Sequence, residues 1–356
     1  MRTPAVSSET QKNYSPDYFR GIFHVHSEFS PDSKVALATV VKTARKARLD
    51  FVVVTDHNTL DGRAAYQKMP APHEPLLIFG DEITTPDGHL IALGISHEPP
   101  ESVKTSQALI DWIHQSGGWA VVAHPVGERT PWKNWNVRGA DGMEIYNFAY
   151  AFYLQNKLKL SAKASFLSPR GFLKSANHIS EKAFQLWNEQ LARGGNFAAF
   201  GGTDAHIHSR WLGFSPESFI LYFSSVTMYV RADSFSEEKI LESLGKGRSF
   251  IAFEARGTVR GFSFTASVDG RYYEMGDKII NGKENPVLFS IGVSQTAEIH
   301  LIRDGILVKQ QKGRELSLET KEPGLYRVEI YRCGKLWIIS NPIYFEVLFK
   351  HANDPR

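Results

Sequence analysis

Five apolar runs in this chain end in residues that have no packing use at the end of a buried strand. They are GIFHVH (Gly21–His26), FVVVTDH (Phe51–His57), LLIFGDE (Leu76–Glu82), WAVVAHP (Trp119–Pro125) and NFAAFGGTDAH (Asn196–His206). Each closes on a histidine or carboxylate. Such termini make sense where the carboxyl ends of parallel strands converge, as at the catalytic face of a barrel. The pattern therefore predicts an α/β architecture and a metal-based chemistry together.

The alternation of strand-like and helix-like segments runs from Gly21 to about Ala252. Val35–Leu49 carries Leu37, Val40, Val41, Ala44 and Ala47 on one helical face, with Pro31 and Asp32 ahead of it as start signals. Leu109–Gln115 and Glu181–Arg193 are further amphipathic segments, each closed by a Gly-Gly pair. Ser234-Phe-Ser-Glu237 reads as a capping box before Ile240–Leu244. Downstream of Phe253 the runs become short, β-branched and aromatic, and are broken by Asp269-Gly270, Asp304-Gly305, Pro323-Gly324 and Cys333-Gly334. They predict an all-β, sandwich-like domain of about seven strands. The expected division is an N-terminal arm over 1–20, a barrel over 21–252 and a β domain over 253–356. Pro131–His178, rich in Trp, Tyr, Phe and Lys, reads as a βα insertion forming one wall of the site, or as an aromatic-anchored surface helix.

The 356 residues suit two domains, and 41 basic against 38 acidic residues give no basic field for nucleic acid. Nucleic acid is accordingly not an expected partner. The single cysteine, Cys333, excludes a disulfide framework and an all-thiolate zinc site, so a reducing, cytoplasmic setting is the default. The first twenty residues have no apolar leader segment, and no run approaches bilayer-spanning length.

The candidate ligands fall at the run ends. His24 and His26, at i and i+2 of a strand, face one side and can share a metal. His57 is favoured over Asp56, which is read as a charge partner or as a cap of the following turn. Asp32 is either a ligand or a helix cap. Glu82 has two oxygens and can bridge two cations. His89 opens a strand after the Asp87-Gly88 hairpin signal, His124 precedes Pro125, and Asp204 and His206 repeat the i, i+2 spacing. Nine mixed imidazole and carboxylate donors without thiolate suit two or three divalent ions of Zn, Mn or Fe. Among the other histidines (His73, His97, His114, His178, His208, His300 and His351), only His208 is a candidate leaving-group acid. Arg129, Arg210 and Lys133 are candidates for holding a phosphate oxygen, or ordinary surface cations.

The motifs His24-Val-His26 with Asp32, Thr55-Asp56-His57, Gly80-Asp81-Glu82 with His89, Ala123-His124-Pro125 and Thr203-Asp204-Ala205-His206 resemble, in order, those of the PHP (polymerase and histidinol phosphatase) family of metal-dependent phosphoesterases. The resemblance covers roughly residues 20–252. It implies a distorted (β/α)7 TIM-like barrel with a trinuclear site. In that site His24, His26, Glu82 and Asp204 would hold one metal. Asp32, His57 and His206 would hold a second, and Glu82 would bridge to a third held with His89 and His124. The closing GKGRSF, β-rich unit and Ser340–Tyr344 (SNPIY) are similar to the carbaryl-hydrolase-like branch of PHP metallohydrolases, which includes carbamate-ester hydrolysis.

The leading expectation is a phosphomonoester or phosphodiester hydrolase in which a metal-bridging hydroxide attacks phosphorus. Its partner is a small-molecule, phosphorylated ester. A carbamate, ester or amide substrate at the same metals is the second expectation, with Trp132–Tyr153 lining an apolar pocket. A non-catalytic binding module or a polymerase-associated nuclease is the third; the near-neutral charge, the chain length and the intact ligand set speak against it.

Overall fold

Parallel strands buried on both faces read as continuous apolar runs, and the five runs become barrel strands. The computed structural model describes residues 18–70, 74–127, 129–153, 168–176, 179–206, 219–281 and 285–347. The barrel is built from β1 (Tyr18–Val25), β2 (Phe51–His57), β3 (Leu76–Thr85), β4 (Gly88–Leu93), β5 (Trp119–Val122), β6 (Gly142–Asn147) and β7 (Ala198–Ala205). Neighbours pair in chain order, and β7 pairs back onto β1 to close the ring. One strand breaks the parallel rule. β4 runs antiparallel to both β3 and β5, because a tight hairpin at Asp87-Gly88, with Gly88 at φ 134°, returns the chain directly. That reversal brings His89, near the start of β4, to the same rim as the ends of the other six strands.

Helices α1 (Leu37–Ala47), α2 (Asp61–Gln67) and α3 (Ser106–Gln115) connect successive strands. α1 buries Leu37, Val40, Val41 and Ala44, the face expected from their spacing. It starts after Ala36 with no side-chain cap, so Asp32 is not its cap. The Pro131–His178 segment is more than an insertion: it contains β6, whose GMEIYN run is fully buried between β5 and β7. Then follow α4 (Phe148–Tyr153), α5 (Pro169–Ala176), α6 (Glu181–Ala192) and α7 (Phe219–Tyr222). β8 (Thr227–Arg231), α8 (Glu237–Gly245) and β9 (Ser249–Ala252) come next. α8 is capped by Ser236, whose Oγ accepts the Lys239 amide at 3.3 Å, rather than by Ser234.

The remaining strands are β10 (Ser263–Val268), β11 (Arg271–Glu274), β12 (Lys278–Asn281), β13 (Val287–Arg303), β14 (Ile306–Thr320), β15 (Gly324–Arg332), β16 (Lys335–Ser340) and β17 (Ile343–Val347). This is one strand more than expected, and β12–β17 is a parallel pair among otherwise antiparallel ladders. The strand-rich region is stitched to the barrel. β1 pairs with β8, β8 with β9, and β9 with β16. Two apolar cores result. Tyr229, Phe250 and Ala252 lie in the second one with the C-terminal strands, although they precede Phe253 in the chain.

Asn341, in the SNPIY run, joins the two parts at the foot of β7. Its Oδ1 accepts the Ala199 amide at 2.7 Å, and its Nδ2 donates to the Ala199 and Ser249 carbonyls, both at 3.2 Å. Next to it, the Tyr344 hydroxyl donates to Asn196 Oδ1 at 2.7 Å. Buried backbone groups left unpaired cost about 1–3 kcal/mol. Asn341→Ala is accordingly expected to lower the stability of the metal-free protein by about 1–3 kcal/mol, read as a shift in the urea midpoint. An unchanged midpoint would remove Asn341 from the joint.

Candidate metal centre

The strand ends do not reach the rim as regular strands. His24, His124 and Asp204 adopt φ values of 67°, 27° and 50°, in the region L-residues avoid. At His24 the β1 register slips against both β2 and β7. The simple i, i+2 alternation therefore does not carry His24 and His26 to one side; a bulge does, leaving their Nε2 atoms 3.1 Å apart. Strain of this kind persists where surrounding structure enforces it, commonly at functional sites.

Glu82, fully buried at the rim end of β3, is the hub. Its Oε2 lies 3.0 Å from His24 Nε2, 3.1 Å from His26 Nε2 and 3.4 Å from His57 Nε2. Its Oε1 lies 2.9 Å from His89 Nδ1 and 2.9 Å from His124 Nε2. Asp204 Oδ1 is 3.2–3.5 Å from the Nε2 atoms of His206, His26 and His24. Asp32 Oδ2 is 3.1 Å from His206 Nε2 and 3.4 Å from His57 Nε2. All nine candidate ligands thus come together. Three sets have donor atoms within 4.8 Å of one another: His26, Asp32, His57 and His206; His24, His26, Glu82 and Asp204; and His57, Glu82 and His89.

The charges are strongly coupled. Burial alone would raise the Glu82 carboxyl, but His24, His124 and His26 hold it well below the usual range. Asp204 and Asp32 are held low in the same way, chiefly by His206 with His24 and by His206 with His57. Conversely, burial pushes His24 down, and Glu144, Glu82 and Asp204 outweigh it. His26, also opposed by burial, is raised to about 9 by Asp204 and Glu82.

Behind the ligand atoms lie groups that the run-end pattern did not flag. Glu144 of β6 meets His24 Nδ1 at 2.9 Å and accepts the His124 amide at 2.7 Å. Ser30 Oγ donates to Asp32 Oδ1 at 2.6 Å and lies 3.2 Å from His26 Nδ1. Thr203 Oγ1 donates to the His24 carbonyl at 2.7 Å. The Tyr150 ring packs on His124, 4.7 Å between centroids, and its hydroxyl lies 2.8 Å from Thr130 Oγ1. Glu144 carries the same signal as the ligands, a carboxylate in an apolar run, but sits inside the segment read as an insertion.

Asp56 is in none of the three sets. It accepts the Ser27 amide at 2.5 Å and the Ser27 hydroxyl at 2.6 Å, bracing the turn after His26, and it caps no helix. Arg129 and Lys133 are exposed on the loop after His124. Trp132 is buried and donates to the Asn134 carbonyl at 2.8 Å. His208 and Arg210 lie outside the described residues, as do His73, His178 and His351. His97, His114 and His300 make ordinary surface contacts, with the Glu98 carbonyl, Asp141 and Glu298.

The PHP domain model matches residues 23–117, the stretch that carries His24 through His89. Residues 23–117 are thus similar to a PHP domain. An uncharacterized protein of Methanocaldococcus jannaschii, MJ1587, is 25% identical over 166 residues, covering 42% of this chain and 94% of that protein. Among solved structures, a two-domain protein from Bacteroides vulgatus containing a predicted PHP-like metal-dependent phosphoesterase is 16% identical. It aligns over 92% of this chain and 95% of its own at a TM-score of 0.46. An amidohydrolase from Chromobacterium violaceum is also 16% identical, over 55% of this chain and 90% of its own, with a TM-score of 0.34. At these scores neither structure bears on function.

These charge interactions set the pH behaviour expected of the metal-free protein. Raised histidines contribute stability that is complete below the ordinary histidine pKa and lost as pH climbs through about 9, where His26 gives up its proton. Depressed carboxylates contribute stability that is complete above the ordinary carboxylate pKa and lost as pH falls below it. In a chelator, the melting temperature is expected to be highest between the two ranges and to fall on both sides. A midpoint that keeps rising from pH 7 to pH 10 would contradict this charge assignment.

Proposed function

We propose that this protein is a metal-dependent hydrolase, a phosphoesterase acting on phosphomonoesters or phosphodiesters at a three-cation centre. The observation that carries the reading is Glu82: one buried carboxylate with five imidazole nitrogens divided between its two oxygens. Lone pairs converging at such distances in a dry site call for cations between them, and the hard and borderline donors suit Zn, Mn or Fe.

A ring nitrogen has one lone pair and serves one ion. Assigning His26 Nε2 to the set with His24, Glu82 and Asp204 leaves Asp32, His57 and His206 for a second ion. Assigning His57 there leaves Glu82 and His89 for a third, where His124 joins at 2.9 Å from Glu82. The first set is wholly buried, whereas Asp32, His57, His89 and His206 are partly exposed. Substrate would therefore approach from their side.

Bound divalent cations would supply a nucleophile from water near neutral pH and neutralise charge on the ester oxygens. The protein's own part is to hold the donors, keep Glu82 and Asp204 ionised, and brace the His26 turn through Asp56 and Ser27. Arg129 is the proposed phosphate contact and His208 the proposed leaving-group acid. Residues 21–252 would form the catalytic unit and 253–356 an accessory β domain.

A carbamate or carboxylic ester is the second reading, favoured by the Tyr150 ring against His124, which offers apolar surface beside a ligand. Parallel assays with p-nitrophenyl phosphate, bis-p-nitrophenyl phosphate and a naphthyl carbamate decide between them. Phosphate-ester turnover that falls to background in Asp204→Ala is the expected result. Hydrolysis of the carbamate alone would transfer the assignment, and full activity in Asp204→Ala would end both.

A further inference from the structure

β6 is the barrel strand to which no metal ligand was assigned, yet it stands between β5 and β7, whose ends carry His124 and Asp204. Its own end carries Glu144 and Asn147, both buried. Glu144 Oε1 lies 2.9 Å from His24 Nδ1. Glu144 Oε2 accepts the backbone amide of His124 at 2.7 Å and Asn147 Nδ2 at 3.0 Å. The same Asn147 Nδ2 reaches Asp204 Oδ2 at 3.3 Å, while Asn147 Oδ1 accepts the Tyr150 amide at 3.2 Å. Two side chains on one strand thus touch candidate ligands from three others.

Space for this carboxylate is reserved across the sheet. A Cβ at Gly202, which pairs with Asn147, would sit 1.6 Å from Glu144 Oε1 and 3.2 Å from His24 Cβ. Its φ is not in the left-handed region, so the backbone does not demand glycine there; the room is needed by Glu144.

We propose that Glu144 is a positioning residue that sets the tautomer of His24 and locks the backbone of His124, orienting two ligands on opposite oxygens of Glu82. A carboxylate that accepts the His24 Nδ1 proton leaves Nε2 as the nitrogen free to offer a lone pair to a cation held between it, Glu82 Oε2 and Asp204 Oδ1. The amide of His124 is fixed by the other oxygen, in the strained conformation that aims Nε2 at Glu82 Oε1. This rests on the metal-centre reading above. It adds that the two ends of the centre are coupled through one carboxylate that binds no metal itself.

The test is Zn2+ titration of the full chain against a chelating dye, with the visible spectrum of the Co2+-loaded protein as a second readout. In Glu144→Gln one oxygen becomes an NH2 group, which opposes a donor whichever way the amide turns. Zn2+ affinity is expected to fall about 10- to 100-fold and the Co2+ bands to shift, while the melting temperature in chelator changes little. Gly202→Ala, which displaces the Glu144 oxygen without removing it, is expected to weaken Zn2+ in the same direction. If wild type takes up no Zn2+, the metal-centre reading itself fails. If wild type binds Zn2+ and both variants match it in affinity and spectrum, only the role of Glu144 fails. Should the variants not fold, nitrogen NMR of wild-type Zn2+ protein decides: a proton on His24 Nδ1 is expected, and one on Nε2 would overturn the proposal.

Discussion

The centre depends on keeping one carboxylate, Glu82, ionised although it is fully buried. A buried lone carboxylate would take a proton. Glu82 does not, because His24, His26 and His57 crowd one of its oxygens and His89 and His124 the other. His24, His26 and His57, whose hold on protons the neighbouring carboxylates strengthen, must in turn lose protons before they can bind cations. Metal and proton therefore compete for one set of lone pairs, and the apo protein is held together by ion pairs that the cations would replace.

The barrel exists to enforce that crowding. A ring of seven strands brings residues 24 and 206, far apart in sequence, into one rim, and the antiparallel turn of β4 adds His89 to it. The left-handed backbone at His24, His124 and Asp204 is unfavourable in isolation. It is held by neighbours on every side: Thr203 on the His24 carbonyl, Glu144 on the His124 amide, and the β1–β7 pairing next to Asp204. At the far end of β7, Asn341 ties the barrel to the strand-rich C-terminal region through the Ala199 amide and carbonyl.

The candidate ligands were legible because a polar residue at the end of an apolar run is conspicuous, and His24, His57, Glu82, His124 and Asp204 each stand at or beside such an end. Asp32 was not decidable from sequence, since an Asp ahead of a helix reads equally as a cap; only the fold brings it to His57 and His206. Glu144 escaped notice because its strand lies in an aromatic-rich stretch read as an insertion, and because it sits within its run instead of closing it. The bulges were invisible for a different reason. Left-handed backbone is signalled by glycine or asparagine, and here histidine and aspartate adopt it under tertiary constraint. The i, i+2 argument thus reached the right neighbours by a route the backbone does not take.

Metal stoichiometry of Zn2+-saturated wild type and Glu82→Ala, measured by elemental analysis on the folded chain, tests the central claim most directly. Three donor sets, two of which share Glu82, predict three ions in wild type. In Glu82→Ala at most the ion of Asp32, His57 and His206, whose donors do not include Glu82, should survive. A single ion in wild type, or an unchanged count in Glu82→Ala, would contradict the account.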